Sequence, residues 1–366
     1  MKRAALSDLD PTTLARHLSD WGHKPGHANR ILRAYYETGD SPGREAAASH
    51  RFPKELLARL EAEFTTRSSE LIARQESSDG TVKLLLRLAD GRTIESVLMP
   101  AFRPDRAAGC LSTQVGCAMG CDFCATAKSG FERNLTAGEI LEQFLALRIE
   151  ARRLGRRLQT LVFMGMGEPL LNLDSLLTAI PRIADNTLGG LGWRQITVST
   201  VGIVPGIEAL TASGLNVNLA ISLHAPDDET RAGLLPPGKR HRIDDILAAA
   251  DRFQATRGRP VTIQYCLLSG VNDSIEQAQA LGRLLEGRRM HVNLLRYNST
   301  GTSLRGMNYQ ASDDTVAEAF AQALKGEGLV VHSRRSRGPE IDAACGQLRR
   351  REATDRKPSA SVPGQG

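Results

Sequence analysis

The chain has 366 residues, 41% of them apolar, enough for two or three domains with a sizeable core, and its six cysteines are too few for a disulfide-stapled secreted scaffold. A formal net charge of +6 suits a nucleic-acid partner, although many basic proteins bind none, and 4% aromatic content argues against a broad base-stacking platform. The opening MKRAALSDLDPTT lacks the apolar stretch of a signal peptide, and no run approaches the roughly 18 apolar residues of a membrane helix, so a cytoplasmic location with no membrane partner is expected.

LDPTTLARHLSDWG, HANRILRAYYETG and FPKELLARLEAEF each carry apolar residues at three- and four-residue spacing, which predicts a small helical module over residues 1–75. Pro25, Gly26, Gly39, Pro42 and Gly43 punctuate it. TVKLLLRL and RTIESVLMP then alternate in polarity around Asp90-Gly91, predicting a β-hairpin within 76–106 that links the module to the remainder of the chain. Over 107–349 the pattern alternates between β and α. Strand-like runs fall at 160–165, 195–200, 217–223, 261–266, 291–296 and 329–334. Helical stretches lie between them: TAGEILEQFLALRIEARRLG opens on a capping-box pair, Thr136 and Glu139, and the last spans about 312–327. This predicts an α/β fold, a parallel sheet with helices outside, either open or curled into a full or partial barrel. In either case the chemistry belongs at the carboxyl ends of the strands. The tail 350–366 has no apolar periodicity and is expected to be disordered; no internal repeat is visible.

The densest chemical signal is the C-x3-C-x2-C run of Cys117, Cys121 and Cys124. Three thiolates on one short loop can hold three irons of a 4Fe–4S cube and leave the fourth iron open to a chelating small molecule. A structural zinc site with Cys110 as fourth ligand is the alternative, although the gap from Cys110 to Cys117 is unlike the usual knuckle pairs. GMGEP (165–169) follows the apolar run LVFM; Gly165 and Gly167 permit close backbone approach, and Glu168 could accept a hydrogen bond from an ammonium group. Alone it could be a plain glycine turn, and no Lys-Ser/Thr comes after it to make a phosphate loop.

Ser199, the Ser222-Leu223-His224 run and Asn298 all fall at strand carboxyl ends, where polar groups can fix a ribose or carboxylate. Cys345 sits in RGPEIDAACGQL, just after the last strand-like run, and Cys110 lies seven residues before Cys117. If the barrel curls far enough, both thiols can approach the cluster mouth, where such a pair can carry a group and release it through a disulfide. Cys266, inside its strand, reads as a small buried hydrophobe. Arg152, Arg153, Arg156 and Arg157 are read as sharing a helix face; Lys239-Arg240-His241-Arg242 and Arg334-Arg335-Ser336-Arg337 add two more basic knots beside the expected site loops. Together they favour phosphate contact, and hence RNA, over a merely solvated surface.

CLSTQVGCAMGCDFCATAKSGFERNLTAGEI, FMGMGEPLLN, SLHAPDDETR and RGPEIDAACGQL together resemble the RlmN/Cfr family of radical S-adenosylmethionine (SAM) RNA adenine methyltransferases. The resemblance runs from about Glu95 to Gln347, and the helical module is similar to that family's RNA-docking accessory domain. It implies a radical-SAM partial βα barrel, one 4Fe–4S cluster on Cys117, Cys121 and Cys124, and two SAM molecules consumed per methylation. SAM would contact Gly167, Glu168, Ser199, Ser222, Leu223, His224 and Asn298. Cys345 would become S-methylated, Cys110 would be its transient disulfide partner, and Glu95 would be a proton acceptor. Read by itself, Glu95 could equally be an exposed hairpin carboxylate.

The implied substrates are carbon 2 of an adenine in the peptidyl-transferase region of 23S rRNA and the adenine 3′ of the tRNA anticodon, with an external one-electron donor as a further partner. Cfr-type members methylate carbon 8 instead. Tyr297-Asn298-Ser299 stands where RlmN members usually show Trp-Asn-Pro and is nearer the Cfr wording, and LLPPGKRHRI replaces a common Ile-Val-Pro-Ile-Asn-Lys run. Carbon 2 is favoured because RlmN-like members greatly outnumber resistance enzymes. Two rivals stand beside this reading: a non-catalytic metal-bearing RNA-binding module, and a radical-SAM enzyme acting on a protein or small molecule.

Overall fold

The computed structural model describes residues 3–40, 52–236, 241–334 and 336–348. Pro42, Gly43, Lys239, Arg240, Arg335 and the tail 350–366 lie outside the described residues.

Helices α1 (Pro11–Asp20), α2 (His27–Thr38) and α3 (Lys54–Glu63) open the chain. Asp10 caps α1 by accepting the Thr13 N–H at 2.6 Å, with Pro11 fixing the first turn. The stripes of Leu14, Leu18, Ile31, Leu32, Tyr35, Leu56 and Leu60 are fully or almost fully buried. They belong to one apolar core that continues through the rest of the fold. Strands β1 (Glu70–Glu76), β2 (Val82–Arg87), β3 (Thr93–Pro100), β4 (Arg106–Cys110) and β5 (Gln114–Gly116) come next. After them come α4 (Ala125–Lys128), β6 (Phe131–Asn134), α5 (Ala137–Arg153), β7 (Arg157–Phe163), α6 (Leu173–Ala184), β8 (Ile196–Thr200), α7 (Val204–Ala212) and β9 (Asn218–Ser222). The chain continues through α8 (Asp228–Leu234), α9 (Ile243–Arg257), β10 (Val261–Leu267), α10 (Ile275–Leu285), β11 (Met290–Arg296), α11 (Asp314–Gly326) and β12 (Val330–Arg334).

One ten-stranded sheet carries the fold, in the order β1-β2-β3-β4-β7-β8-β9-β10-β11-β12. From β4 onward every pairing is parallel, each crossover running through helix, while β1 to β4 pair antiparallel. The edges β1 and β12 do not pair, so the full barrel allowed by the sequence is not formed. The sheet nevertheless curls until its two flanks meet. Glu340, beyond β12, accepts the Ser78 N–H at 2.9 Å, and the Gly338 N–H reaches Asp79 at 3.2 Å in the turn joining β1 to β2. The result is a partial barrel closed on one side by the segment 336–348.

Two expectations change. The 82–100 hairpin is more than a connection, since it is paired directly to β4 and is part of the main sheet. The four arginines at 152–157 do not share a helix face. Helix α5 stops at Arg153, Gly155 turns left-handed at φ 66°, and Arg157 already begins β7. That run therefore lies at the amino ends of the parallel strands, opposite the site end.

Buried Glu142 of α5 ties the helical module to the barrel. Its carboxylate accepts Ser7 Oγ at 2.6 Å, Ser68 N at 2.7 Å and Ser69 N at 2.8 Å. Gly138 lets Asp8 approach the same helix, since a Cβ there would stand 2.1 Å from Asp8 Oδ1.

Candidate active site

The short β5–β6 ribbon presents the cysteine loop across the carboxyl end of the barrel. Its base is tight: a Cβ on Gly116 (φ +77°) would stand 1.8 Å from Gly130 O, and the Cys117 N–H donates to that oxygen at 2.9 Å. The Asp122 N–H donates to Leu234 O of α8 at 2.9 Å, and the Ala125 N–H to Gly346 O at 2.7 Å. Asp122 itself is fully buried and accepts Tyr309 OH at 2.7 Å, Ser303 Oγ at 2.9 Å and Arg305 N at 2.9 Å. This carboxylate pins the loop between Cys121 and Cys124 to the segment after β11.

The three thiols pack with Met119, Leu234, Leu235, Tyr297 and Tyr309 in a small apolar cluster separate from the main core. Burial pushes Cys117 up to about 12, with Cys124 and Glu168 adding in the same direction. Cys121 is pushed well above its ordinary value by burial and then by Cys124 and Cys117. Thiolates in so dry a shell need a cationic partner, and soft iron is suited to three of them. The zinc reading would need Cys110 beside these three thiols as a fourth ligand. Cys110, the fourth ligand of that reading, instead feels Cys345.

GMGEP crosses directly behind the loop. A Cβ on Gly167 (φ +99°) would stand 2.5 Å from the Gln114 Cβ and 2.8 Å from its backbone nitrogen, and one on Gly165 would stand 2.7 Å from Leu111 O. Glu168 is buried, with Oε1 accepting Leu170 N at 3.0 Å and Oε2 accepting Val201 N at 2.8 Å. Burial raises it to about 7 against those hydrogen bonds and one from the Thr200 hydroxyl.

Cys345 lies in the closing segment, whose Gly346 and Leu348 carbonyls accept from Ala125 N at 2.7 Å and Thr126 Oγ1 at 2.9 Å. Cys345 is exposed as a residue while its thiol is enclosed by protein, and that enclosure raises its pKa, opposed by the Arg334 guanidinium and reinforced by Cys124. Burial raises Cys110 to about 12, and Cys345 is the next contributor. Both flanking cysteines are free thiols; Gly346, next to Cys345, accepts the Ala125 N–H of the cluster loop, and Cys110 ends β4.

The profile of the Radical SAM superfamily matches residues 111–281. A relative from Opitutus terrae, named a probable dual-specificity RNA methyltransferase RlmN 1, is 65% identical over 347 residues, covering 95% of this chain and 97% of that one. The chain belongs to the RlmN family of radical SAM methyltransferases. A Nitrosopumilus maritimus relative, named ribosomal RNA large subunit methyltransferase N, is 40% identical over 357 residues, covering 94% and 98% of the two chains. The crystal structure of a radical SAM methyltransferase from Sphaerobacter thermophilus matches with a TM-score of 0.88 at 39% identity, over 95% of this chain and all of that one. The cofactors of the chain are accordingly a 4Fe–4S cluster and SAM.

The remaining candidates are distributed unevenly. Ser199 is buried in β8, and Ser222, at the end of β9, is half-buried. Leu223 donates its N–H to Gln264 O at 3.1 Å. His224, at φ 61°, turns inward: Nδ1 accepts the Cys266 N–H at 2.9 Å and the ring meets Phe123 edge-on at 5.1 Å. Burial lowers it to about 3, so it is neutral. Asn298 is half-buried, its amide on Arg296 O at 3.3 Å. Glu95 is not an exposed hairpin carboxylate. It is fully buried and paired with Lys83 Nζ at 2.9 Å. In the strand register Lys83 lies opposite Val97, and Val97 opposite Cys110, so Glu95 shares the Cys110 face of the sheet.

Of the basic knots, Arg334 is beside Cys345, Arg337 is 3.9 Å from Asp79, and Arg242 is 3.5 Å from Asp228. A depression of about 480 Å³ lined by Arg194, Arg257 and Arg259 opens at the amino ends of β8–β10, and no candidate residue lines it.

Sequence reasoning missed Ser112, whose hydroxyl donates to Glu95 O at 2.7 Å and accepts Met166 N at 2.9 Å, joining the hairpin to GMGEP. It also missed Asn272, which donates to His224 O and Cys266 O at 2.8 Å each, as well as Asp122 and Lys83. Asp122 and Lys83 are visible as charges inside otherwise apolar stretches.

Proposed function

We propose that this protein methylates carbon 2 of an adenine in 23S rRNA, and the adenine 3′ of a tRNA anticodon, with Cys345 carrying the methyl group and Cys110 resolving it. The observation that carries this reading is the placement of Cys345, a thiol on an exposed residue of the segment that closes the partial barrel, next to Gly346, whose carbonyl accepts the Ala125 N–H beside Cys124 at 2.7 Å. Such a thiol serves a carrier, because it must meet the cofactor on one side and a large substrate on the other. The relatives named as RNA methyltransferases support the substrate class.

Cys117, Cys121 and Cys124 would hold the cluster, and Gly167, Glu168, Ser199, Ser222, Leu223, His224 and Asn298 would surround SAM. When bound, those groups supply the methyl and the one-electron chemistry that an aromatic carbon needs. The chain supplies placement and proton handling. Arg334 favours the Cys345 thiolate, the nucleophilic form of a carrier. Glu95, held by Lys83, would take the ring proton. The Cys110 thiolate would then attack Cys345 sulfur, forming the disulfide as the carbon–sulfur bond breaks, its electron pair staying with the product carbon, which takes up a proton to become the methyl group. An external dithiol would reopen the disulfide. The helical module, residues 1–75, would aid RNA docking as one division of the chain, with 76–106 and 107–349 as the others.

The test is Cys345→Ala, reconstituted anaerobically with iron and sulfide. Iron content near that of the wild type with no methylated adenine by mass spectrometry of digested RNA supports the carrier. Methylation at the wild-type rate refutes it, and 8-methyladenine in place of 2-methyladenine refutes the assigned carbon.

A further inference from the structure

Arg231 of α8 heads the large side chains buried to this degree, at 1% exposure. One of its nitrogens, Nη2, donates to Val201 O just past β8. Nε and Nη1 are buried and meet no hydrogen-bond partner among the described residues. Among the described residues no ion pair relieves the charge: Asp228, its strongest carboxylate neighbour, pairs instead with Arg242 at 3.5 Å. The same helix meets the cluster loop one turn farther on: Leu234 packs in one apolar cluster with Cys121, and its carbonyl accepts the Asp122 N–H at 2.9 Å. Val201 connects the same guanidinium to the site, since its N–H is held by Glu168 and its carbonyl by Arg231.

A buried guanidinium with idle N–H groups is unfavourable unless something anionic answers it. A structural role linking α8 to Val201 needs only one of its N–H groups. The anion at hand is the thiolate corner at Cys121, which gains a further negative charge when the cluster accepts an electron.

We propose that Arg231 is the buried countercharge of the cluster, donating its idle N–H groups to sulfur at the Cys121 corner and easing one-electron reduction. It acts through the cluster and is a positioning residue, not a catalytic one. Charge and hydrogen bonding at sulfur are established levers on cluster potential. Burial lowers Arg231 only to about 10, so it keeps its charge at neutral pH. The inference rests on the family's cluster and not on the identity of the methylated RNA.

The experiment compares Arg231→Gln, which keeps a donor for Val201 O without the charge, with Arg231→Lys, which keeps the charge. Each is reconstituted anaerobically without SAM and titrated with dithionite, the one-electron reductant, while the reduced cluster is followed by electron paramagnetic resonance. Arg231→Lys is expected to stay within about threefold of the wild-type reduction equilibrium. Arg231→Gln is expected to be at least about tenfold harder to reduce, a midpoint about 59 mV lower for one electron. A Gln variant with a full cluster and an unmoved midpoint overturns the proposal. If Gln folds by circular dichroism yet holds no cluster while Lys holds one, the countercharge is again supported. If Gln fails to fold, Arg231→Met carries the same expectation, and failure of both neutral variants with a folded Lys variant makes the residue a structural ion and also overturns it.

Discussion

Lys83→Met is the sharpest probe of the hairpin's place in the site. Lys83 and Glu95 are 6% and 0% exposed, with nitrogen and oxygen 2.9 Å apart, so their attraction is scarcely screened by water. The Lys83 ammonium also lies 3.5 Å from Asp342 O in the segment that carries Cys345. Methionine fills a similar volume but leaves the Glu95 carboxylate without its ammonium in a dry position. Removing one member of a buried pair costs about 3–5 kcal/mol, whereas replacing both by neutral groups is often near neutral. Urea unfolding should therefore show Lys83→Met destabilised by about that amount, and Lys83→Met/Glu95→Gln less so than the sum of the singles. A coupling of about 1–3 kcal/mol is the expected non-additivity for groups in contact. Glu95→Gln alone should slow RNA methylation in a single-turnover assay by about 10²–10⁴-fold, the usual worth of a general base. S-methylation of Cys345, read by peptide mass spectrometry, should proceed normally in that variant. A Lys83→Met protein within about 1 kcal/mol of wild type, together with a fully active Glu95→Gln, would refute both the pairing energetics and the proton-acceptor assignment.

The other expectations use separate features. Cys110→Ala should trap a covalent protein–RNA adduct on denaturing gels, whereas Cys266→Ala, whose thiol also feels Cys345, should turn over cleanly; the reverse pattern would make Cys266 the resolving thiol. Glu168, raised to about 7 by burial, must be ionised to meet an ammonium group, so SAM affinity by calorimetry should rise with pH up to about 7 and then level. The stability sign is opposite: its folded value is raised, so the contribution is full at low pH and fades as pH climbs through about 7. Glu168→Gln should flatten both profiles, and unchanged profiles would remove the residue from each role. Gly167→Ala should be destabilised by about 1–3 kcal/mol from its φ of +99° alone, with SAM binding weakened further as Gln114 is displaced; a wild-type melting curve would contradict the close approach.

How much of the molecule is legible in its sequence depends on how local each signal is. The cluster cysteines span eight consecutive residues, so one loop carries their whole geometry. The Thr136–Glu139 capping box closes as its pattern implies, with mutual bonds of 2.9 and 3.1 Å. Strands β8 to β11 announce themselves because helices cover their faces and leave apolar runs. Strand β1 stays hidden since ELIARQE sits at the sheet edge with no fully buried residue and no clean alternation. Strand β4, RAAGC, is too short and its residues too small to show a period. The arginine run misleads for a different reason: the helix stop at Leu154-Gly155 is present in the sequence but outweighed by the charge pattern.

The burial of Glu95 is the instructive case. Its own strand, TIESVLMP, alternates like a half-exposed hairpin, yet Ile94 through Leu98 are all buried. Helix α5 meets one face through Gln143, which accepts from Ser96 Oγ at 2.9 Å, and the other face turns toward the segment that carries Cys345, where Lys83 reaches Asp342 O. Nothing within the hairpin specifies either cover. The nearer arrives from 47 positions along the chain and the farther from 259, and they arrive because the curled sheet leaves its last gap to be closed by the C-terminal segment. Closing that gap is what sets the segment that carries Cys345 against the Lys83–Glu95 pair, with Lys83 Nζ 3.5 Å from Asp342 O. A variant that loosens the closure, such as Glu340→Ala at the Ser77–Ser78 turn, should therefore lower methyl transfer while leaving cluster content unchanged.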